Sequence, residues 1–159
     1  MTFSFDALSR SDAETITCWQ YEGEYSIYDI AVDQRASITE YMLDAKNQFF
    51  SVYRNDELIG FCSLGKDGQV RGGSYDESAL DIGAGMRPEL VGRGEGIAFL
   101  ESVVRFAESK SGGLNLRATI AAWNRRAIRT SLAVGFSHRS TFSDNNGRQF
   151  AILVRHFHE

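Results

Sequence analysis

The segment from Ala79 to Lys110 constrains this chain more than any other. An apolar run, Ala79-Leu80-Asp81-Ile82-Gly83-Ala84-Gly85-Met86, reads as a strand and leads to the chain's single proline, Pro88. Gly92, Gly94 and Gly96 follow at alternate positions. Ile97, Leu100, Val104 and Ala107 then recur at helical spacing, and Phe99, Val103 and Phe106 widen the apolar stripe. A strand, a glycine loop and a helix in that order present free backbone N–H groups and the positive end of a helix dipole to an anion. A phosphate-bearing ligand is therefore the first expectation. A tight strand–helix connection whose glycines serve packing alone is the alternative.

The remaining sequence reads as a mixed α/β protein. Thr2 to Leu8 alternates like a short strand, and Ser11 or Asp12 offers a cap for a helix running to about Trp19. Ser37 offers a cap for a second helix, Ile38 to Ala45. Phe49–Arg54 and Leu58–Leu64 form a hairpin across Asn55-Asp56-Glu57, and the glycine-rich stretch 65–78 is a loop. After the central helix, which Gly112-Gly113 ends, come a strand Leu114–Ala122 and a helix from Asn124 to about Ala133. A final hairpin joins Phe136–Phe142 to Gln149–His156. The order is β-α-α-β-β-β-α-β-α-β-β, with no repeat and no linker, so one domain over residues 1–159 is expected.

Composition excludes several classes. Apolar residues make up 43% and charged residues 24%, ordinary for a globular protein. A net charge of −4 gives no electrostatic case for nucleic acid. Cys18 and Cys62 are too few for a disulfide framework, and no His, Cys and Asp spacing suggests a metal. No apolar run reaches the ~20 residues that span a bilayer, and the N-terminal residues lack a secretory pattern. A soluble cytoplasmic protein, with no membrane partner, is the expectation.

The glycine loop fits neither common nucleotide motif. A dinucleotide loop needs G-x-G-x-x-G early in the fold, and from Gly92 the pattern is G-x-G-x-G. A Walker loop needs G-K-S/T, which is absent. Instead, Pro88-Glu89-Leu90-Val91-Gly92-Arg93-Gly94-Glu95-Gly96 resembles the central motif of the GNAT N-acetyltransferases, P-x-x-(Q/R)-x-x-G-x-(G/A). Further along, Asn124-Arg125-Arg126-Ala127-Ile128 followed by Gly135-Phe136 is similar to that family's second motif. The resemblance covers roughly Phe49 to Phe142. It departs from the family pattern at Val91, where glutamine or arginine is usual, and at Ser131, where a tyrosine often stands seven residues after the asparagine.

The resemblance implies a GNAT-type fold, a mixed and mostly antiparallel sheet flanked by helices. It also implies acetyl-CoA as cosubstrate and a primary amine of a small molecule or protein as acceptor. Ala84, Gly85 and Met86 would then contact the pantetheine arm, and the backbone N–H of Met86 would stabilise the oxyanion. Val91, Gly92, Arg93, Gly94 and Gly96 would wrap the pyrophosphate, and Asn124 would reach the cofactor while capping its helix. Gly83 and Gly85 mark a bulge or a close approach in the strand.

The proton acceptor is less defined. Asp81 lies on the central strand near a position where some family members carry an acidic base, and Glu22 and Glu24 sit in the aromatic segment expected to cover the acceptor. Loss of the proton through a water chain competes with all three. Trp19, Tyr21, Tyr25, Tyr28 and Trp123 could line the acceptor site or simply pack helices onto the sheet. Ser131 is too weak an acid to replace a phenol, though its hydroxyl could donate a hydrogen bond to the leaving sulfur. The changes at Ser131 and Val91 motivate an alternative function, a CoA-binding sensor or regulatory module with little or no catalysis. Members of the family commonly form homodimers, but no patch in this sequence marks a dimer face.

Overall fold

In the computed structural model, which describes residues 2–157, the strands and helices follow the expected order. The strands are β1 (Phe3–Ala7), β2 (Phe49–Arg54), β3 (Glu57–Leu64), β4 (Leu80–Met86), β5 (Leu116–Ala121), β6 (Ser137–Ser143) and β7 (Gln149–Arg155). The helices are α1 (Arg10–Thr17), α2 (Arg35–Leu43), α3 (Gly96–Lys110) and α4 (Arg125–Ala133). The strand order is β1-β2-β3-β4-β5-β7-β6. β4 and β5 run parallel, with Leu80 beside Leu116 and Asp81 beside Arg117, and β1–β2, β2–β3, β5–β7 and β6–β7 are antiparallel. This is the mixed, mostly antiparallel α/β architecture that the resemblance implied. Contacts gather the described residues into two compact units, 2–63 with 84–95 and 64–83 with 96–157, so that β4 contributes to both.

The first unit holds β1 to β3, α1, α2 and the loop after β4. Ser9, rather than Ser11 or Asp12, caps α1, its Oγ accepting from the Asp12 N–H at 3.1 Å. Asp12 is engaged elsewhere: its carboxylate accepts from Ser51 Oγ at 2.8 Å and from the Tyr53 hydroxyl. α2 likewise begins earlier than expected, because a 3-10 turn over Val32–Gln34 leads into it and Ser37 lies inside the helix, bonded to Gln34 O. Ile16, Met42 and Phe49 form a buried cluster, with Leu8, Trp19, Ile38, Leu58 and Phe61 packed against it. The β2–β3 turn is tight, with Asn55 and Asp56 both left-handed (φ 52° and 65°), so Glu57 joins the strand.

The second unit packs one face of α3 among β-strand residues. Phe99, Val103, Val104 and Ala107 are buried, as are Leu116, Ala151, Ile152, Leu153 and Val154. β5 is shorter than expected: Leu114 precedes it and is exposed. Phe136 and Val134 are buried after α4, where Gly135 takes a left-handed φ of 101°. Among the described residues, no helix is long and apolar enough to cross a membrane.

Candidate functional site

The loop after β4 is anchored before it is free. Arg87 N–H donates to Ile59 O at 2.8 Å, and a 3-10 turn over Pro88–Leu90 follows, closed by Val91 N–H on Pro88 O. Gly92 and Gly94 then both take left-handed φ, 78° and 77°, a conformation that side chains disfavour. Arg93 between them is exposed and Val91 is half-buried. The chain passes from Glu95 directly into α3, 15 residues long, with Gly96 as its first residue. A Cβ at Gly96 would meet Thr130 at an ordinary 3.5 Å, so packing alone does not demand glycine there. Left-handed glycines in a loop favour a backbone conformation whose N–H groups can face an anion.

At the end of β4, Ala84 is exposed and Gly85 and Met86 are half-buried. The close approach expected at Gly85 is made by the protein itself. A Cβ there would lie 2.4 Å from Cε1 of Phe61, so the ring of β3 occupies the space a side chain would need. The Tyr21 hydroxyl donates to the Met86 carbonyl at 2.8 Å, while Tyr21 N–H donates to Asp29 Oδ1 at 2.8 Å. Burial, with Asp29 and Glu89 adding negative charge, pushes the Tyr21 phenol up to about 12, so it stays a donor at neutral pH. Tyr21 thus ties the segment from Trp19 to Asp29 to the end of β4.

The other residues of that segment divide. Trp19 is half-buried, and its ring lies 6.3 Å from that of Phe61 and packs against the buried cluster. Glu22 and Glu24 are exposed at the start of a 3-10 turn over Gly23–Tyr28, Tyr25 is half-buried, and Tyr28 is exposed.

Asp81 does not have the surroundings of a general base. It is 4% exposed, its Oδ1 accepts from Arg117 Nε at 2.6 Å, and its Oδ2 accepts from Arg117 Nη2 at 2.8 Å and Gln69 Nε2 at 2.9 Å. Both oxygens are committed, and Asp81 serves to hold a guanidinium that is itself 5% exposed. Arg117 also donates from Nη1 to Glu77 O at 2.9 Å and lies 4.8 Å from the centre of the Tyr75 ring. Its hydrogen bonds to the Asp81 carboxylate raise the pKa of the Arg117 guanidinium above its ordinary value.

Asn124 caps α4 as expected, Oδ1 accepting from Ala127 N–H at 3.1 Å, and is buried. Ser131 is also buried, and its Oγ donates to Ala127 O at 2.9 Å, one turn back in the same helix. That bond directs the hydroxyl onto α4 itself, so the donor role toward a leaving sulfur is not supported by its geometry. Trp123 is 37% exposed and borders an open cleft of about 520 Å³ with Ala122, Arg125, Gly147 and Gln149. Among the described residues, no group of three His, Cys, Asp or Glu side chains is placed to hold a metal.

Sequence reasoning missed the partners: Arg117 and Gln69 for Asp81, Phe61 for Gly85, Met86 for Tyr21, and Arg54 for Glu95. A signal existed for the first. Asp81 and Arg117 are opposite charges set within apolar strands, and a buried charge requires a partner.

Comparison with known proteins agrees with this architecture. The acetyltransferase (GNAT) family model matches residues 11–136. Among solved structures, aminoglycoside acetyltransferase AAC(6')-Ib in complex with coenzyme A and kanamycin has a TM-score of 0.77 at 17% identity, covering 98% of this chain and 95% of that one. A spermidine N-acetyltransferase chimera of Vibrio cholerae SpeG and hSSAT has a TM-score of 0.69 at 16% identity, with 98% and 95% covered. YncA of Salmonella typhimurium, solved with its cofactor acetyl-CoA, has a TM-score of 0.65 at 16% identity, with 100% and 96% covered. A search of curated protein sequences finds no match. With the family model spanning most of the sequence, the chain belongs to the acetyltransferase (GNAT) family of acyltransferase enzymes.

Proposed function

We propose that the protein transfers the acetyl group of acetyl-CoA to a primary amine by direct attack on the thioester. The observation that carries this reading is the pair of left-handed glycines, Gly92 and Gly94, immediately ahead of α3 in a chain of this family. The backbone of Val91, Gly92, Arg93, Gly94 and Gly96 would hold the pyrophosphate. Ala84, Gly85 and Met86 would meet the pantetheine arm, and Asn124 would contribute from α4. The structural neighbours solved with coenzyme A or acetyl-CoA support the same cosubstrate. Residues 1–159 would act as one GNAT domain.

In the reaction, the neutral amine nitrogen bonds to the acetyl carbon, the carbon–sulfur bond breaks, and CoA leaves as the thiolate. The proton lost by nitrogen passes to a base or to water. The Met86 N–H would stabilise negative charge on the carbonyl oxygen. With Asp81 committed to Arg117, water and the exposed Glu22 and Glu24 remain as acceptors of that proton. The acceptor itself is read as a cationic small amine. Glu22 and Glu24 support this, as do neighbours described as an aminoglycoside and a spermidine acetyltransferase. Tyr21, Tyr25 and Trp123 would border it. Free Cys18 and Cys62 are in keeping with a reducing cytoplasm.

The bond that turns Ser131 onto Ala127 O favours one second reading, a CoA-binding sensor with little turnover. An acceptor screen decides between them. Acetyl-CoA is incubated with polyamines, aminoglycosides and peptide amines, and released CoA is followed with a thiol reagent. Amine-dependent CoA release is expected; tight CoA binding with no release across the panel would establish the sensor instead.

A further inference from the structure

The loop that would hold the pyrophosphate is gripped at both ends by one hairpin. Arg54 and Glu57 flank the Asn55-Asp56 turn and are cross-strand partners. Each also reaches outward: Arg54 Nη1 donates to Glu95 Oε2, and Glu57 Oε1 accepts from Arg87 Nη1. Arg87 and Glu95 bracket the loop, so the hairpin tip holds its first and last residues with bonds of opposite polarity. Glu89 adds a carboxylate 3.4 Å from Arg87 Nε. The Arg54–Glu95 pair is the better shielded of the two, with side chains 17% and 30% exposed.

Glu95 is an odd residue for this place. It stands directly before the N-terminus of α3, where a carboxylate suits the helix dipole but, in the loop assigned to an anionic ligand, repels phosphate. Its pairing with Arg54 resolves the conflict by neutralising the charge and turning it into an anchor. Gly92 and Gly94 make the intervening backbone permissive, and a permissive loop binds well only if something else fixes it. We infer that Arg54 and Glu95, assisted by Glu57 and Arg87, are positioning residues that preorganise the loop for the CoA pyrophosphate. This inference rests on the acetyl-CoA reading above.

Glu95→Gln separates positioning from simple electrostatics. Removing a negative charge beside an anion site should tighten CoA binding if charge alone matters. If Glu95 positions the loop, binding should instead weaken, on the order of tenfold for the loss of a charge-assisted hydrogen bond. Titration calorimetry with CoA, the KM for acetyl-CoA, kcat at saturation and the thermal midpoint are measured for the wild type, Arg54→Gln, Glu95→Gln and the double variant. The expected pattern is weaker CoA binding and a raised KM with kcat retained. The double variant should be no worse than either single variant. Glu57→Gln, on an exposed side chain, is a milder probe should the Arg54 variant fold poorly, and should raise KM by a smaller factor. Unchanged or tighter CoA binding by Glu95→Gln, or independent additive losses, would overturn the inference. A wild-type protein that binds no CoA would instead overturn the acetyl-CoA reading, and the clamp with it.

Discussion

Replacing Asp81 with asparagine removes one charge from a pair that is almost wholly enclosed, with side chains 4% and 5% exposed. Asparagine keeps an oxygen that can accept from Arg117 Nε, and the Glu77 carbonyl and Tyr75 ring still face the guanidinium. The positive charge, however, loses its counter-charge. Breaking a buried pair from one side costs about 3–5 kcal/mol, and the retained hydrogen bond places this variant near the lower figure. Against a typical stability of roughly 5–15 kcal/mol the loss is large. For a chain of this length it corresponds to a fall of about 6–12 °C in the thermal midpoint. The check is thermal unfolding by circular dichroism, together with kcat measured well below the variant's midpoint. Asp81→Leu/Arg117→Met, which removes both charges, should recover much of the midpoint. The reasoning fails if Asp81→Asn melts like the wild type while kcat falls a thousandfold, because the carboxylate would then be acting in the chemistry.

Three further outcomes are expected. Tyr21→Phe should lose about 1 kcal/mol at pH 8 with the bond to the Met86 carbonyl. Because burial raises the Tyr21 phenol to about 12 against an ordinary 10, its contribution is complete below pH 10 and is lost as pH rises through 12. The difference in denaturant stability between wild type and variant should therefore shrink over that window, and a constant gap would contradict the assignment. Gly85→Ala drives a methyl into the Phe61 ring and should destabilise by about 1–3 kcal/mol. Adding Phe61→Leu should relieve part of that, whereas a further loss of stability would place the strain elsewhere. Ser131→Ala removes a hydroxyl that serves its own helix, and steady-state kinetics should show less than a tenfold change in kcat.

What could be read from the sequence was what neighbouring residues decide. The left-handed glycines of the loop, the Asn124 cap and the Asn55-Asp56 turn each follow from residue type and immediate context. That Ser9 caps α1, and neither Ser11 nor Asp12 as expected, is not a local matter. Asp12 is drawn to Ser51 and Tyr53, residues of a strand that arrives much later in the chain. The same holds at the candidate site. The resemblance offers Asp81 as a base, and the partner that commits its carboxylate instead to an ion pair comes from β5. Trp19 reads either as a wall of the acceptor site or as packing, and its neighbour Phe61 comes from β3, far along the chain. Gly85 reads as a bulge or a close approach, and the ring that fills its Cβ position belongs to Phe61, a residue of another strand.

The turn over Gly23–Tyr28 contains no buried residue, yet Tyr21 secures one side of it to Met86 and closes it onto Asp29. Its side chains therefore carry little of the folding free energy, while its position is inherited from the strand end. Such a segment can accumulate substitutions without unfolding the domain. If acceptor choice resides there, it can drift or be redesigned by exchanging residues 22–28 as a cassette, with the acetyl-donor machinery left unaltered.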